Sequence, residues 1–149
     1  MDKLRRFQRL PWSDKALLLQ AALRLAVVSL GVRVLHFSFW RRWLENHPTS
    51  PSAPASGTSP EHILWAVTVA GGYVPGANCL VRSLVGRSML WRSGHSAELR
   101  LGVISGLQRP FQAHAWLEIG GRVVLGGTES ASRYTALATE VAPSSPLAH

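Results

Sequence analysis

Apolar residues fall into helical blocks through the first two-thirds of the chain and then switch to alternation. Residues 16–35 are dense in Leu, Val and Ala, which predicts one long helix, with Ser13 as its cap and Asp14 favourable in its first turn. Phe37, Phe39, Trp40 and Trp43 carry the apolar surface into a continuation or a second short helix, which Pro48 ends. Residues 48–60, PTSPSAPASGTSP, lack large apolar side chains and read as a linker. Pro60 and Glu61 open a helix over about 61–72, stopped by Gly71-Gly72. Leu80, Val81, Leu84, Val85 and the Met89–Trp91 cluster recur at helical spacing and predict a helix over 79–92, ended by Gly94.

Period two follows. Leu99, Leu101 and Val103 alternate with Glu98, Arg100 and Gly102. In residues 112–119, Ala113, Ala115, Leu117 and Ile119 form one face, and Gln112, His114, Trp116 and Glu118 the other. Gly120-Gly121 is a two-residue hairpin signal and Arg122–Leu125 is the returning strand, which sets His114 opposite Gly127. The tail after Pro143 is expected to be loose. Helices followed by antiparallel strands predict an α+β fold. The division is a helical region 1–47, a linker 48–60 and a core 61–149.

The apolar run over 16–35 invites comparison with a membrane span, but Gln20, Arg24 and Arg33 interrupt it. A buried or partner-facing helix is the expectation, with membrane association the lesser alternative, supported by the apolar helix and the Arg clusters. No signal-peptide pattern opens the chain. Across 149 residues, 46% are hydrophobic and 16% charged, which excludes a wholly disordered chain. Lys+Arg number 16 against 8 Asp+Glu, a net charge of +8. Arg5, Arg6 and Arg9, then Arg41 and Arg42, concentrate it. No RNA-binding or zinc-finger signature accompanies them, so nucleic acid is not expected. A solvated basic surface or an acidic peptide partner both fit. The single Cys excludes an intramolecular disulfide and suits a reducing, cytoplasmic compartment. No metal-spaced cluster is present, and no cofactor is expected.

The candidate chemistry rests on two residues. Cys79 stands at the predicted first turn of its helix, where unpaired N–H groups and the helix dipole favour a thiolate and can receive an oxyanion. His114 stands on the polar face of a strand. Together they have the makings of a nucleophile and general base for acyl transfer. Singly, each has a plainer reading, since free Cys is among the most buried residue types. Trp116 beside His114 fits a site wall or ordinary packing. Arg82, one turn after Cys79, fits a substrate contact or a solvated surface.

The strings NCLVRSLVGRSMLWRSG, ELRLGVI and FQAHAWLEIGGRVVLGG, with LRRFQRLPWSDKALLLQAALRLA near the start, resemble the leader peptidases of lasso-peptide biosynthesis (the B2 proteins), relatives of the microcin J25-processing protease's C-terminal domain. The resemblance spans nearly the whole chain. It implies a transglutaminase-like, papain-related cysteine protease core, here behind an N-terminal helical extension. It implies Cys79 as nucleophile and His114 as general base in cutting a precursor peptide between leader and core. It also implies two partners, a separate leader-recognition protein (the family's missing winged-helix-like module) and a macrolactam-forming cyclase.

One departure matters. The family carries an Asp downstream of its His, where Gly126 stands here, and both Asp residues of this chain, Asp2 and Asp14, are near its start. Glu118 shares the face of His114 but lies roughly 13 Å along the strand, too far for a hydrogen bond. Glu129 would fall diagonally across at about 7–8 Å between backbones, within a Glu side chain's reach. A backbone carbonyl or a water are the other candidates to orient the imidazole. The missing Asp also leaves open a catalytically inactive peptide-binding module, or an acyl-transferring enzyme.

Overall fold

A computed structural model describes residues 8–34, 57–106, 109–127 and 135–137. Helix α1 spans Trp12–Val34, α2 Pro60–Gly71 and α3 Cys79–Arg92; strands β1 (Glu98–Gly106), β2 (Arg109–Ile119), β3 (Arg122–Leu125) and β4 (Thr135–Leu137) follow. The strands form one antiparallel sheet in the order β3-β2-β1-β4. The fold is α+β, with the helices packed on one another and α3 laid against β2.

Local chemistry explains most boundaries. Ser59 caps α2 by accepting from the His62 N–H at 3.3 Å, and Pro60, which has no N–H to satisfy, is the first helical residue. Helix α3 ends where Gly94 takes a φ of 84°, with the His95 N–H closing on the Leu90 carbonyl at 2.9 Å. The start of α1 differs from expectation. Ser13 is not the cap but lies inside the helix, because the Pro11 carbonyl already accepts from the N–H groups of Asp14 and Lys15, each at 3.1 Å. Asp14 does sit in the first turn, and its carboxylate meets His62 Nε2 at 3.2 Å, tying α1 to α2.

One core joins the elements. Leu18, Ala21 and Leu25 of α1, Ile63 and Val67 of α2, Val81, Leu84 and Leu90 of α3, and Ala115 and Leu117 of β2 are buried in a single cluster. Gly86 lets α3 approach the sheet closely: a Cβ there would stand 3.0 Å from Leu117 Cδ1 and 3.2 Å from Leu125 Cδ2.

The hairpin forms at Gly120-Gly121 as expected, but its register slips. Ile119 pairs with Arg122 and Glu118 with Val123, after which a bulge sets Leu117 opposite Leu125. One extra residue on β3 therefore moves the expected pairing of His114 with Gly127 out of step. The segment with Phe37, Phe39, Trp40 and Trp43, most of the 48–60 linker, Glu129 and the tail after Pro143 lie outside the described residues.

Candidate active site

The loop after α2 delivers Cys79. Gly76 takes a φ of 82°, the Asn78 N–H bonds to the Gly76 carbonyl at 2.8 Å, and Asn78 caps α3 by accepting from the Val81 N–H at 3.0 Å. No acidic residue stands in the first turn of α3. Cys79 is its first residue, a free thiol half-buried against the core.

Arg82 locks this arrangement. Its Nε donates to the Ala77 carbonyl at 2.8 Å and its Nη2 to the Gly71 carbonyl at 2.9 Å. The planar fork therefore staples the end of α2 to the residues just before Cys79. Gly71 makes room for it, since a Cβ there would lie 2.7 Å from Arg82 Nε. A cavity beside the start of α3 is lined by Arg33, Val74, Asn78 and Arg82 among others.

His114 is held from the opposite direction. Its Nε2 lies 2.8 Å from the Gly126 carbonyl oxygen. A carbonyl only accepts, so Nε2 carries the hydrogen, and the neutral ring keeps its basic lone pair on Nδ1. Gly126 has a φ of 104°, and a Cβ there would stand 2.7 Å from Trp116 Cβ and 3.0 Å from the Ala115 oxygen. The backbone at the position where the resemblance implies an Asp thus excludes a side chain and offers its carbonyl instead. On β1 the residue paired with His114 is Gly102, so glycine stands on both sides of the imidazole.

Trp116 stacks beside His114, with ring centroids 6.3 Å apart and planes inclined by 20°. It is only 2% exposed although it lies on the face that alternation marks as polar. Its Nε1–H donates to Glu118 at 2.8 Å, and Arg100 in turn donates to Glu118 at 3.4 Å and to Glu98 at 2.8 Å. This chain was not foreseen; the signal was the polar parity shared by Glu98, Arg100, Trp116 and Glu118 across the β1–β2 ladder.

Cys79 and the backbone of His114 lie toward the same end of the α3–β2 packing. A Cβ on Gly86 would lie 3.6 Å from Leu64, while Gly71 meets Arg82, so α2 and α3 run antiparallel. The start of α2 and the Gly120 turn line a common cavity. The start of α3 therefore points away from that turn, toward the end of β2 that carries His114. From the Gly86–Leu117 contact, the helix back to Cys79 and the strand back to His114 each cover about 10 Å. The side chains leave the strand plane differently: Ala115 and Leu117 face the helices, and His114 projects to the other side with Trp116. Among the described residues no hydrogen bond joins Cys79 to His114.

A sequence model of the transglutaminase-like superfamily matches residues 19–139, a span that includes α1 from its second turn, Cys79, His114 and Gly126. No curated protein and no solved structure matches the chain.

Proposed function

The chain belongs to the transglutaminase-like superfamily, and from that premise we propose that it is the cysteine peptidase that removes the leader from a lasso-peptide precursor. The superfamily includes cysteine peptidases and acyltransferases. Within that range, the observation that carries the reading is the Gly126 carbonyl on His114 Nε2. It leaves the lone pair of the neutral ring on Nδ1, as a general base requires, and the chain's one thiol opens a capped helix.

In this mechanism His114 Nδ1 takes the Cys79 proton and the thiolate attacks the carbonyl carbon of the scissile peptide bond. The developing oxyanion meets N–H groups at the start of α3. The imidazolium then protonates the departing amine of the core peptide, leaving the leader as a thioester on Cys79. Water, giving a proton to His114, attacks the thioester; the leader leaves as a carboxylic acid and the thiol is restored. A separate leader-recognition protein would present the precursor, and a macrolactam-forming cyclase would take the freed amine. The compartment is the cytoplasm.

A second reading, a module that holds a peptide without cutting it, is favoured by one observation: Ala115 and Leu117, not His114, are the side chains of β2 packed toward the helices. Two measurements separate them. Precursor and recognition protein are incubated with the wild-type chain, Cys79→Ala or His114→Ala, and the products are weighed by mass spectrometry. The peptidase reading requires cleavage by the wild type and intact precursor with either variant. Full cleavage by either variant overturns it. Iodoacetamide labelling of Cys79 near neutral pH should slow in His114→Ala; equal rates would show that thiol and imidazole are uncoupled.

A further inference from the structure

The face of α1 turned away from the core carries an apolar stripe from end to end. Trp12, Leu19, Leu23, Val27, Leu30 and Val34 are each at least 63% exposed. Steps of three, four and seven residues keep them on one stripe of the helix. The opposite stripe, Leu18, Ala21 and Leu25, is in the core.

Charge decides what such a face fits. The only acidic residue of α1, Asp14, is paired with His62 on α2. The remaining charges of the helix are Lys15, Arg24 and Arg33, all basic, and Lys3, Arg5, Arg6 and Arg9 precede it in the sequence. By helical angle, Lys15 and Arg33 border one edge of the stripe and Arg24 the other. Burial, and then the nearby Arg92, push the Arg24 guanidinium below its ordinary value, so like charges are gathered at that edge. A second copy of the chain on this face would press two basic rims together, with no carboxylate of α1 beyond the paired Asp14 to neutralise them. An anionic bilayer supplies what both parts of the surface need, hydrocarbon for the stripe and negative headgroups for the rim.

We propose that α1 docks this protein on an anionic lipid surface, lying along it. The helix is long and apolar enough to cross a membrane, but its inner stripe belongs to the core and cannot be given to lipid. Gln20, Arg24 and Arg33 interrupt a span, and none of them interrupts a helix that lies flat.

The test is flotation of the full chain with vesicles of phosphatidylcholine alone or mixed with phosphatidylglycerol. The chain should float with the anionic vesicles, be released as salt rises, and stay down with phosphatidylcholine alone. A Leu23→Glu/Leu30→Glu variant should lose about tenfold or more of its vesicle binding while keeping the wild-type unfolding temperature, because both positions are exposed. No flotation with anionic vesicles overturns the proposal, as does equal flotation of the variant or salt-insensitive binding to neutral vesicles. A concentration-dependent dimer that the variant dissolves, with no flotation, would assign the face to a second copy.

Discussion

The His114 imidazole is held by the main chain of Gly126, through a bond of 2.8 Å from Nε2 to the carbonyl oxygen. A carbonyl fixes ring orientation and tautomer as a carboxylate would, but brings no full negative charge to stabilise an imidazolium. A thiol nucleophile tolerates that loss better than a hydroxyl, because it ionises far more readily.

Gly126→Ala should therefore damage the site through the backbone. With φ at 104° and a Cβ placed 2.7 Å from Trp116 Cβ, the substitution must move the strand end or Trp116. The expected cost is about 1–3 kcal/mol of stability, read as a lower midpoint in urea, together with slower precursor cleavage. Gly126→Asp should fare no better, although it supplies the acid that the resemblance implies at this position. Faster cleavage by Gly126→Asp would show that a side chain fits there and that the carbonyl is dispensable.

Arg82 can be tested as a staple against its expected role as a substrate contact. Arg82→Ala leaves the Gly71 and Ala77 carbonyls without their donor, at an expected cost of about 1–3 kcal/mol. Lys cannot reproduce the two-pronged geometry, so Arg82→Lys should recover only part of it. Gly71→Ala, whose Cβ would lie 2.7 Å from Arg82 Nε, should mimic the loss from the other side. A staple predicts lower stability and lower kcat in all three. A rise in KM with stability and kcat intact would return Arg82 to the substrate.

What the sequence made legible follows the physics of each signal. The bounds of α3 and the Gly120-Gly121 turn were readable because helical spacing, a stop at Gly94 and a two-residue glycine turn are local signals. The bulge between Leu117 and Glu118 was not, since Val123, Val124 and Leu125 are all apolar and none marks itself as the extra residue. Strand β4 has only three residues, Thr135–Leu137, too short to show a period. Burial of Trp116 depends on tertiary packing that alternation cannot report. The absence of a C-terminal Asp was legible from the start and pointed to the question that the Gly126 carbonyl answers.

The Trp116–Glu118 pair predicts a difference between two substitutions. Trp116 Nε1–H has Glu118 as its acceptor at 2.8 Å. Glu118→Ala strands a buried donor and should cost about 1–3 kcal/mol. Glu118→Gln keeps an acceptor oxygen and loses only the pairing with Arg100, whose side chain is 31% exposed, so it should stay within about 1 kcal/mol of wild type. Urea unfolding with Trp fluorescence measures both. Equal losses in the two variants would mean that charge, and not the indole bond, is what Glu118 supplies.

Gly86 sets the distance between the element that bears Cys79 and the strand that bears His114. In a helix interior Ala is favoured over Gly by about 1 kcal/mol, but the new Cβ would meet Leu117 Cδ1 at 3.0 Å and Leu125 Cδ2 at 3.2 Å. Those are methyl ends that can shift by a few tenths of an ångström, so the two effects oppose each other. Gly86→Ala should lie within about 1 kcal/mol of wild type. Gly86→Val adds two further methyls to the same gap and should lose about 1–3 kcal/mol. Its cleavage rate should fall by more than unfolding accounts for, because pushing α3 off β2 moves the thiol relative to an imidazole pinned by Gly126. Rates compared well below the unfolding midpoint separate the two effects. A Val variant as stable and as active as wild type would mean that the spacing of α3 from β2 is not what positions the two groups.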